Sequence, residues 1–413
     1  MRPYKTILAV AAVVILAACT QQGGGDTPVY LDRNADLEAR IDDALSRMTL
    51  EEKVKILHAQ SKFSSAGVPR LGIPELWCTD GPHGVRAEVL WDEWDTAGWT
   101  NDSIVAFPAL TCLSATWNPE MSALYGKSVG EEARYREKDV LLGPGVNIYR
   151  SPLNGRNFEY MGEDPHLSAT MVVPYVQNVQ KNGVAVCVKH FALNNFEVNR
   201  SSANVIVSDR ALREIYLPAF KAAIVEGGSW SIMGSYNRYN GQYNCHNEIL
   251  LNRILRDEWG FDGMVVSDFT ALADFHKSHK VTKDSAESGA LALKNGCDMN
   301  LGFVYLHLQE ALDRGLITEA DIDNACLRVM ELRLRLGLYE QPESIRVDHA
   351  LLDCPEHREL NLKTARESMV LLKNDGVLPL RGKYKSVAVI GPNAFSTRAL
   401  MGNYHGEASE YIT

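Results

Sequence analysis

The feature that most constrains this chain is a recurrence. Short apolar runs, Leu76-Trp77-Cys78, Val140-Leu141-Leu142, Val184-Ala185-Val186-Cys187-Val188, Trp230-Ser231-Ile232-Met233 and Met264-Val265-Val266-Ser267, alternate with stretches whose apolar residues repeat at helical spacing. Those stretches include Leu37–His58, Pro119–Arg136, Asp209–Val225, Asn247–Glu258, Asp284–Asn295 and Glu319–Gly337. Buried strands alternating with amphipathic helices make β/α units, whose strands lie parallel. Each apolar run also ends in polar or charged residues: Asp80, Asn147 with Arg150, Lys189-His190, Ser235-Tyr236-Asn237 and Asp268. In a parallel barrel such residues collect at one mouth. Taken singly, Asp, Asn and Ser after a strand commonly cap the next helix. Caps do not call for Lys, His, Arg and Tyr.

Length decides how much a barrel leaves over. The 413 residues exceed one barrel of about 250 residues. Near residue 340, Leu338-Tyr339-Glu340-Gln341-Pro342 ends a helix, and Glu359 to Lys373 reads as another. Ser386-Val387-Ala388-Val389-Ile390-Gly391-Pro392 then reads as the first strand of a new α/β unit. The expected organisation is a signal segment at 1–18, a flexible tether at 19–35 and a barrel domain at 36–345. A linker with a helix follows at 346–383, then the start of a second α/β domain at 384–413.

The charge balance excludes one class of function. Lys and Arg number 42 against 52 Asp and Glu, a formal charge of −10, and no block of five like charges occurs. A polyanion-binding surface needs clustered cations, so nucleic acid is not an expected partner.

At the N-terminus, Arg2 and Lys5 precede the apolar run Ile7 to Ala18, which is too short to span a bilayer. Leu16-Ala17-Ala18-Cys19 resembles a bacterial lipobox, which implies lipidation of Cys19 and an exported lipoprotein in the periplasm or outer membrane. Membrane contact is expected only through that anchor. The other seven cysteines are scattered without metal spacing. Their odd number leaves at least one unpaired, and one or two disulfides remain open in an exported protein. No metal and no cofactor is called for.

The chemistry-bearing segments sit at the polar ends. Trp77 to Arg86 (W-C-T-D-G-P-H-G-V-R) places Asp80 before a Gly-Pro turn, where a carboxylate can accept from two neighbouring hydroxyls. Leu142 to Pro165 is too rich in Gly, Pro and Asn for regular structure and reads as a long functional loop. Cys187 to Arg200 carries adjacent Lys189 and His190 at the end of an apolar strand. Gly260 to Asp268 (G-F-D-G-M-V-V-S-D) delivers one carboxylate from a wholly apolar strand, a setting in which Asp can attack an anomeric carbon.

These segments together resemble glycoside hydrolase family 3. The resemblance is carried by T-D-G-P-H-G-V-R at 79–86, G-R-N-F-E-Y-M-G-E-D-P at 155–165, K-H-F-A-L-N at 189–194, S-D-R-A-L-R-E at 208–214, S-I-M-G-S-Y-N at 231–237 and G-F-D-G-M-V-V-S-D at 260–268. It implies an α/β fold, a (β/α)₈ TIM-like barrel followed by an α/β sandwich domain. It implies Asp268 as the nucleophile of a retaining exo-β-glycosidase, working through a glycosyl-enzyme ester. Asp80, Arg156, Lys189 and His190 would hold the hydroxyls of the terminal sugar, with Met233 and Tyr236 lining the pocket.

Two departures qualify the match. Phe269 stands where the family usually has Trp. The acid/base glutamate of most branches would lie beyond Thr413, and Ala192 to Ser202 lacks the histidine that serves instead in the N-acetylglucosaminidase branch. The T-D-G-P-H-G-V-R form leans towards β-glucosidases. The segment Gly289 to Gly302 and Met401-Gly402-Asn403-Tyr404-His405-Gly406 look more like β-xylosidases. A catalytically incomplete carbohydrate-binding lipoprotein is the alternative from another class.

Overall fold

The computed structural model describes residues 27–90, 104–337, 348–382, 384–401, 404, 408 and 410–412. The signal segment, Cys19 and the helix end at 338–342 lie outside the described residues. The chain divides into two compact units, Met1–Arg47 and Met48–Thr413. In the first, helix Leu37–Arg47 holds the preceding turn: Tyr30 N donates to Asp43 Oδ2 at 3.0 Å, and Arg40 Nε donates to Tyr30 O at 3.2 Å. Residues 28–32, expected as tether, are therefore ordered by side-chain bonds.

The single helix expected over Leu37–His58 is two. The second, Leu50–Ile56, starts at a capping box in which Thr49 Oγ1 accepts from Glu52 N at 3.2 Å and Glu52 Oε2 from Thr49 N at 2.8 Å. That reciprocal pair satisfies two helix-start N–H groups and so favours a break.

The apolar runs are strands: β1 (Ser64–Ser65), β2 (Leu76–Thr79), β3 (Val140–Leu141), β4 (Gly145–Ile148), β5 (Tyr160–Gly162), β6 (Ala185–Phe191), β7 (Asn204–Val205), β8 (Ser231–Gly234), β9 (Arg238–Tyr239), β10 (Gln242–Tyr243) and β11 (Met264–Val266). From β2 the sheet runs parallel through β3, β6, β8 and β11. Val266 pairs in parallel with Met299, and Asn300 with His58; Ala59 then turns back antiparallel onto Ser65. Since β1 is antiparallel to β2, the sheet closes on itself as a barrel.

That closure departs from a uniform (β/α)₈ ring. β1 runs against its neighbours and reaches β2 without an α-helix, through the short turn Pro69–Leu71. Arg333, fully buried on helix Glu319–Arg335, holds this reversed hairpin. Its guanidinium donates to Ser65 Oγ at 2.8 Å, to Ala66 O at 2.9 Å and to Pro74 O. The Gly- and Pro-rich stretch 142–165, expected as one loop, contains β4 and β5. They are parallel to each other, and β4 branches from β6 at Gly145 opposite Lys189. Both are buried, and a buried backbone must pair.

Outside the ring, helices Pro119–Tyr135, Pro165–Gln180 and Pro218–Val225 bury one continuous apolar layer against β6 and β8, including Val129, Val176, Phe191 and Phe220. Gly126 is where two helices nearly touch: a Cβ there would lie 2.5 Å from Tyr175 O.

Past the barrel, helix Pro355–Glu367 docks through His357, whose Nδ1 is 2.9 Å from Glu132 Oε1 and whose Nε2 is 3.3 Å from Glu131 Oε2. Burial alone favours the neutral ring, but the two carboxylates prevail and raise its pKa to about 9. The charged ring thus stabilises docking fully below its unfolded pKa of about 6.5, and that contribution disappears as pH rises through about 9. Urea midpoints should show His357→Gln well below wild type at pH 6 and the gap closing by pH 10. A gap independent of pH would contradict this.

The apolar run at 386–390 forms no strand. Val387, Val389 and Ile390 are exposed, and no described strand lies beside them, so a strand has nothing to bond to.

Candidate active site

Asp268 follows β11 at the barrel mouth, and the loop beneath it is fixed from the neighbouring ring member. Ser267 Oγ accepts from Asn300 Nδ2 at 2.9 Å and from Leu301 N at 3.1 Å. Asp268 does not cap the next helix. Its Oδ1 accepts from Phe269 N at 2.7 Å, while Oδ2 is buried and accepts no hydrogen bond. One oxygen is therefore held and the other is left without a hydrogen-bond partner.

Around it the structure brings together every residue singled out for the pocket. Asp80, Arg156, Lys189, His190, Met233, Tyr236 and Asp268 line one cavity of about 360 Å³, within the roughly 300–1,000 Å³ usual for small-ligand sites. A larger, mainly apolar cavity of about 640 Å³ lies elsewhere, and none of these residues lines it.

The polar groups form a connected network. Lys189, only 1% exposed and inside β6 rather than after it, donates from Nζ to Asp80 Oδ1 at 3.1 Å; Arg86 reaches Asp80 Oδ2 at 3.5 Å. Arg156 donates from Nε to Glu159 and from Nη2 to His190 Nε2 at 2.8 Å. An arginine can only donate, so His190 Nε2 carries the lone pair and Nδ1–H points to Tyr160 OH at 3.1 Å. Asn147 on β4 clasps the His190 backbone, accepting from its N at 2.8 Å and donating to its O at 3.0 Å.

Burial, then Arg156, Lys189 and Arg200, push the His190 pKa well below the usual histidine range. The ring is neutral, and its 3.5 Å approach to Asp268 Oδ2 is not an ion pair. Burial likewise raises the Asp268 pKa, while Arg156, Lys189, Arg200 and the Phe269 N–H oppose that rise. Tyr236 stays protonated, its pKa raised by burial and by Asp268, and its hydroxyl donates to Phe269 O at 2.7 Å.

Not every polar strand end reaches the pocket. Arg150 bonds Tyr216, and Ser235 and Asn237 bond Ala192 O, so these serve the loops. Conversely, reading the strand ends misses Arg200, whose guanidinium lies 4.2 Å over the Tyr236 ring, and Phe63 from the reversed hairpin. It also misses Tyr404 as a pocket residue. Arg200 closes the K-H-F segment and is legible there as a second cation. Phe63 carries no local signal. Among the described residues no group of three or more His, Cys, Asp or Glu is disposed to hold a metal, and the seven described cysteines are all free.

Comparison with known proteins gives this geometry a lineage. The model of the glycosyl hydrolase family 3 N-terminal domain matches residues 44–332, and that of its C-terminal domain matches 369–413. The chain belongs to glycosyl hydrolase family 3. It is 52% identical over 391 residues to the β-glucosidase BoGH3A of Bacteroides ovatus, covering 91% of this chain and 51% of that protein. β-Glucosidase 3B of Thermotoga neapolitana, solved with α-D-glucose, superposes with a TM-score of 0.72 at 34% identity, over 83% of this chain and 48% of that one. A family 3 exo-β-xylosidase, XlnD, solved with a xylobiose aziridine probe, superposes at 0.84 with 28% identity, over 94% of this chain and 52% of that one. The chain thus spans about half the length of the curated relatives it matches. Members of the family are glycoside hydrolases with a TIM-like barrel as first domain, which accords with the closed sheet found here.

Proposed function

We propose that the protein is an exo-acting retaining β-glycosidase releasing β-linked glucose from non-reducing ends. The observation that carries this is the Asp268 carboxylate, pinned through Oδ1 and without a hydrogen-bond partner at Oδ2, in a polar pocket that Tyr404 also lines. Oδ2 attacks the anomeric carbon as the bond to the aglycone oxygen breaks, and that oxygen takes a proton from the acid/base residue. Water then attacks the same carbon, gives its proton back to that residue, and frees Asp268. The acid/base residue is assigned to the second domain beyond Thr413, in keeping with relatives about twice as long. Asp80, Lys189, Arg156 and neutral His190 supply the donors and acceptors for the sugar hydroxyls. Their bonds strengthen as the ring flattens towards the oxocarbenium-like transition state. Tyr236 holds the Phe269 backbone beside the nucleophile.

The test uses the product of the complete reading frame with an aryl β-glucoside. Proton NMR should show the β-anomer of glucose forming first; α-glucose first would reject retention. The rise in the Asp268 pKa also sets a pH dependence. Asp268 must be ionised to attack, so kcat/KM should fall as pH drops through a pKa above the ordinary 3.8 of a free aspartate. Arg200→Met removes one of the opposing cations and should move that acid limb to higher pH; an unmoved limb counts against the assignment.

A β-xylosidase is the second reading. The superposition on the exo-β-xylosidase extends over more of the chain than that on the glucosidase, and Tyr404 fills space beside Lys189. Comparing kcat/KM on aryl glucoside and xyloside decides between them. Lipid anchoring at Cys19 belongs to the same proposal, with the protein exported to the periplasm or outer membrane. Labelled palmitate should enter the wild type and not Cys19→Ser.

A further inference from the structure

Tyr404 comes from the segment after the barrel, about a hundred residues beyond the last ring member, yet it lies inside the pocket. Its hydroxyl accepts from Arg156 Nη2 at 3.0 Å, and Lys189 Nζ sits 4.5 Å from the centre of its ring. Phe158 stacks on the ring with centroids 6.1 Å apart, and His83 meets it edge-on at 6.2 Å. The ring is thus held by contacts with four side chains of the barrel loops and strands. It is three contacts along the pocket wall from the nucleophile: Asp268 neighbours His190, His190 bonds Arg156, and Arg156 bonds Tyr404. In a pyranose C4 lies across the ring from C1. A sugar with C1 at Asp268 and its hydroxyls on Lys189 and Arg156 directs O4 towards the Tyr404 side.

We propose that Tyr404 is a specificity-determining and positioning residue. Its ring is the end wall that rejects a sugar substituted at O4, and its hydroxyl holds the Arg156 guanidinium in register with His190. This deepens the glycosidase reading and rests on it. A flat aromatic wall makes the pocket accept only a chain terminus, and the cation–π contact keeps the buried Lys189 ammonium beside its Asp80 partner. The barrel alone would leave that end open.

The experiment takes the product of the complete reading frame and compares an aryl β-glucoside with its 4-O-methyl derivative. Wild type should hydrolyse the first and discriminate against the second. Tyr404→Ala should lose at least about tenfold of that discrimination. Tyr404→Phe, which keeps the wall and drops the bond to Arg156, should keep the discrimination but raise KM several-fold with kcat little changed. Near-ultraviolet circular dichroism of each variant checks folding, and the conservative Phe variant gives a readout even if Ala fails to fold. Unchanged discrimination in Tyr404→Ala, or a Tyr404→Phe variant that loses it, overturns the proposal. A wild type that cleaves neither glycoside overturns the glycosidase reading itself, a result distinct from an active enzyme whose discrimination ignores Tyr404.

Discussion

Asp268→Ala should lose aryl β-glucoside hydrolysis by on the order of 10⁴-fold or more while remaining folded, because the reaction then has no atom to form the first covalent bond. The loss should fall on kcat, since the hydroxyl-binding network of Asp80, Lys189 and Arg156 does not include the missing carboxylate. The same variant offers a second measurement. Alanine leaves space beside Phe269 N, and azide entering there can attack the anomeric carbon of an activated glycoside, expelling the aryl oxide. The product should be the α-glycosyl azide, inverted relative to the substrate. Turnover at wild-type level, or rescue giving the β-azide, would remove Asp268 from the nucleophile's role.

Asp80→Ala should be the second large loss, and it should appear in two assays at once. The carboxylate is an acceptor for sugar hydroxyls, so kcat/KM should fall about 10²–10³-fold, with KM rising as well as kcat falling. It is also the ion-pair partner of a lysine that is 1% exposed. Removing one member of a buried pair costs about 3–5 kcal/mol, because the remaining buried charge loses its hydrogen-bonded counter-ion. A denaturation midpoint close to wild type would contradict the cost assigned to breaking the buried pair. Asp80→Asn retains a hydrogen-bond acceptor and should recover part of the stability but little of the activity.

How far the site was legible in the sequence follows from what each residue's position depends on. Asp80, Lys189, His190, Tyr236 and Asp268 ride on strands that are apolar enough to be buried whatever surrounds them, so the polar residue at or near each strand end falls into the mouth. Arg156 lies in none of these strands; the family motif marks it, and its pocket position comes from bonds to Glu159 and His190. The ring members at 58–59 and 299–300 are bridges of a residue or two, and β1 is Ser64–Ser65, with no apolar run to announce it. Its reversal depends on Arg333, far off in sequence, and only the folded chain shows that pairing. Tyr404 is invisible for a similar reason: nothing in a Gly-Asn-Tyr-His-Gly stretch says which barrel residues it will meet. The expected strand at 386–390 shows the reverse error. Its apolar content is right for a strand, but pairing is a property of two segments, and no described segment lies beside it.

The bridge between Asn300 and His58 has a consequence for the order of events during synthesis. The ring cannot shut until residue 300 has left the ribosome, more than two hundred residues after its partner. At about 5–20 residues per second that is a delay of roughly ten seconds or more. Through that interval β2, β3, β6 and β8 can pair in turn, but β1 and the unfinished opposite edge stay unsealed. Edges of that kind recruit other strands. The β1–β2 hairpin is a local contact of the ring, and it covers the edge of β2 early. Its other side waits for Arg333, which emerges only after the ring is ready to close. The reversed strand therefore serves as a temporary guard on the nascent sheet, converted into a permanent ring member by the last helix of the barrel.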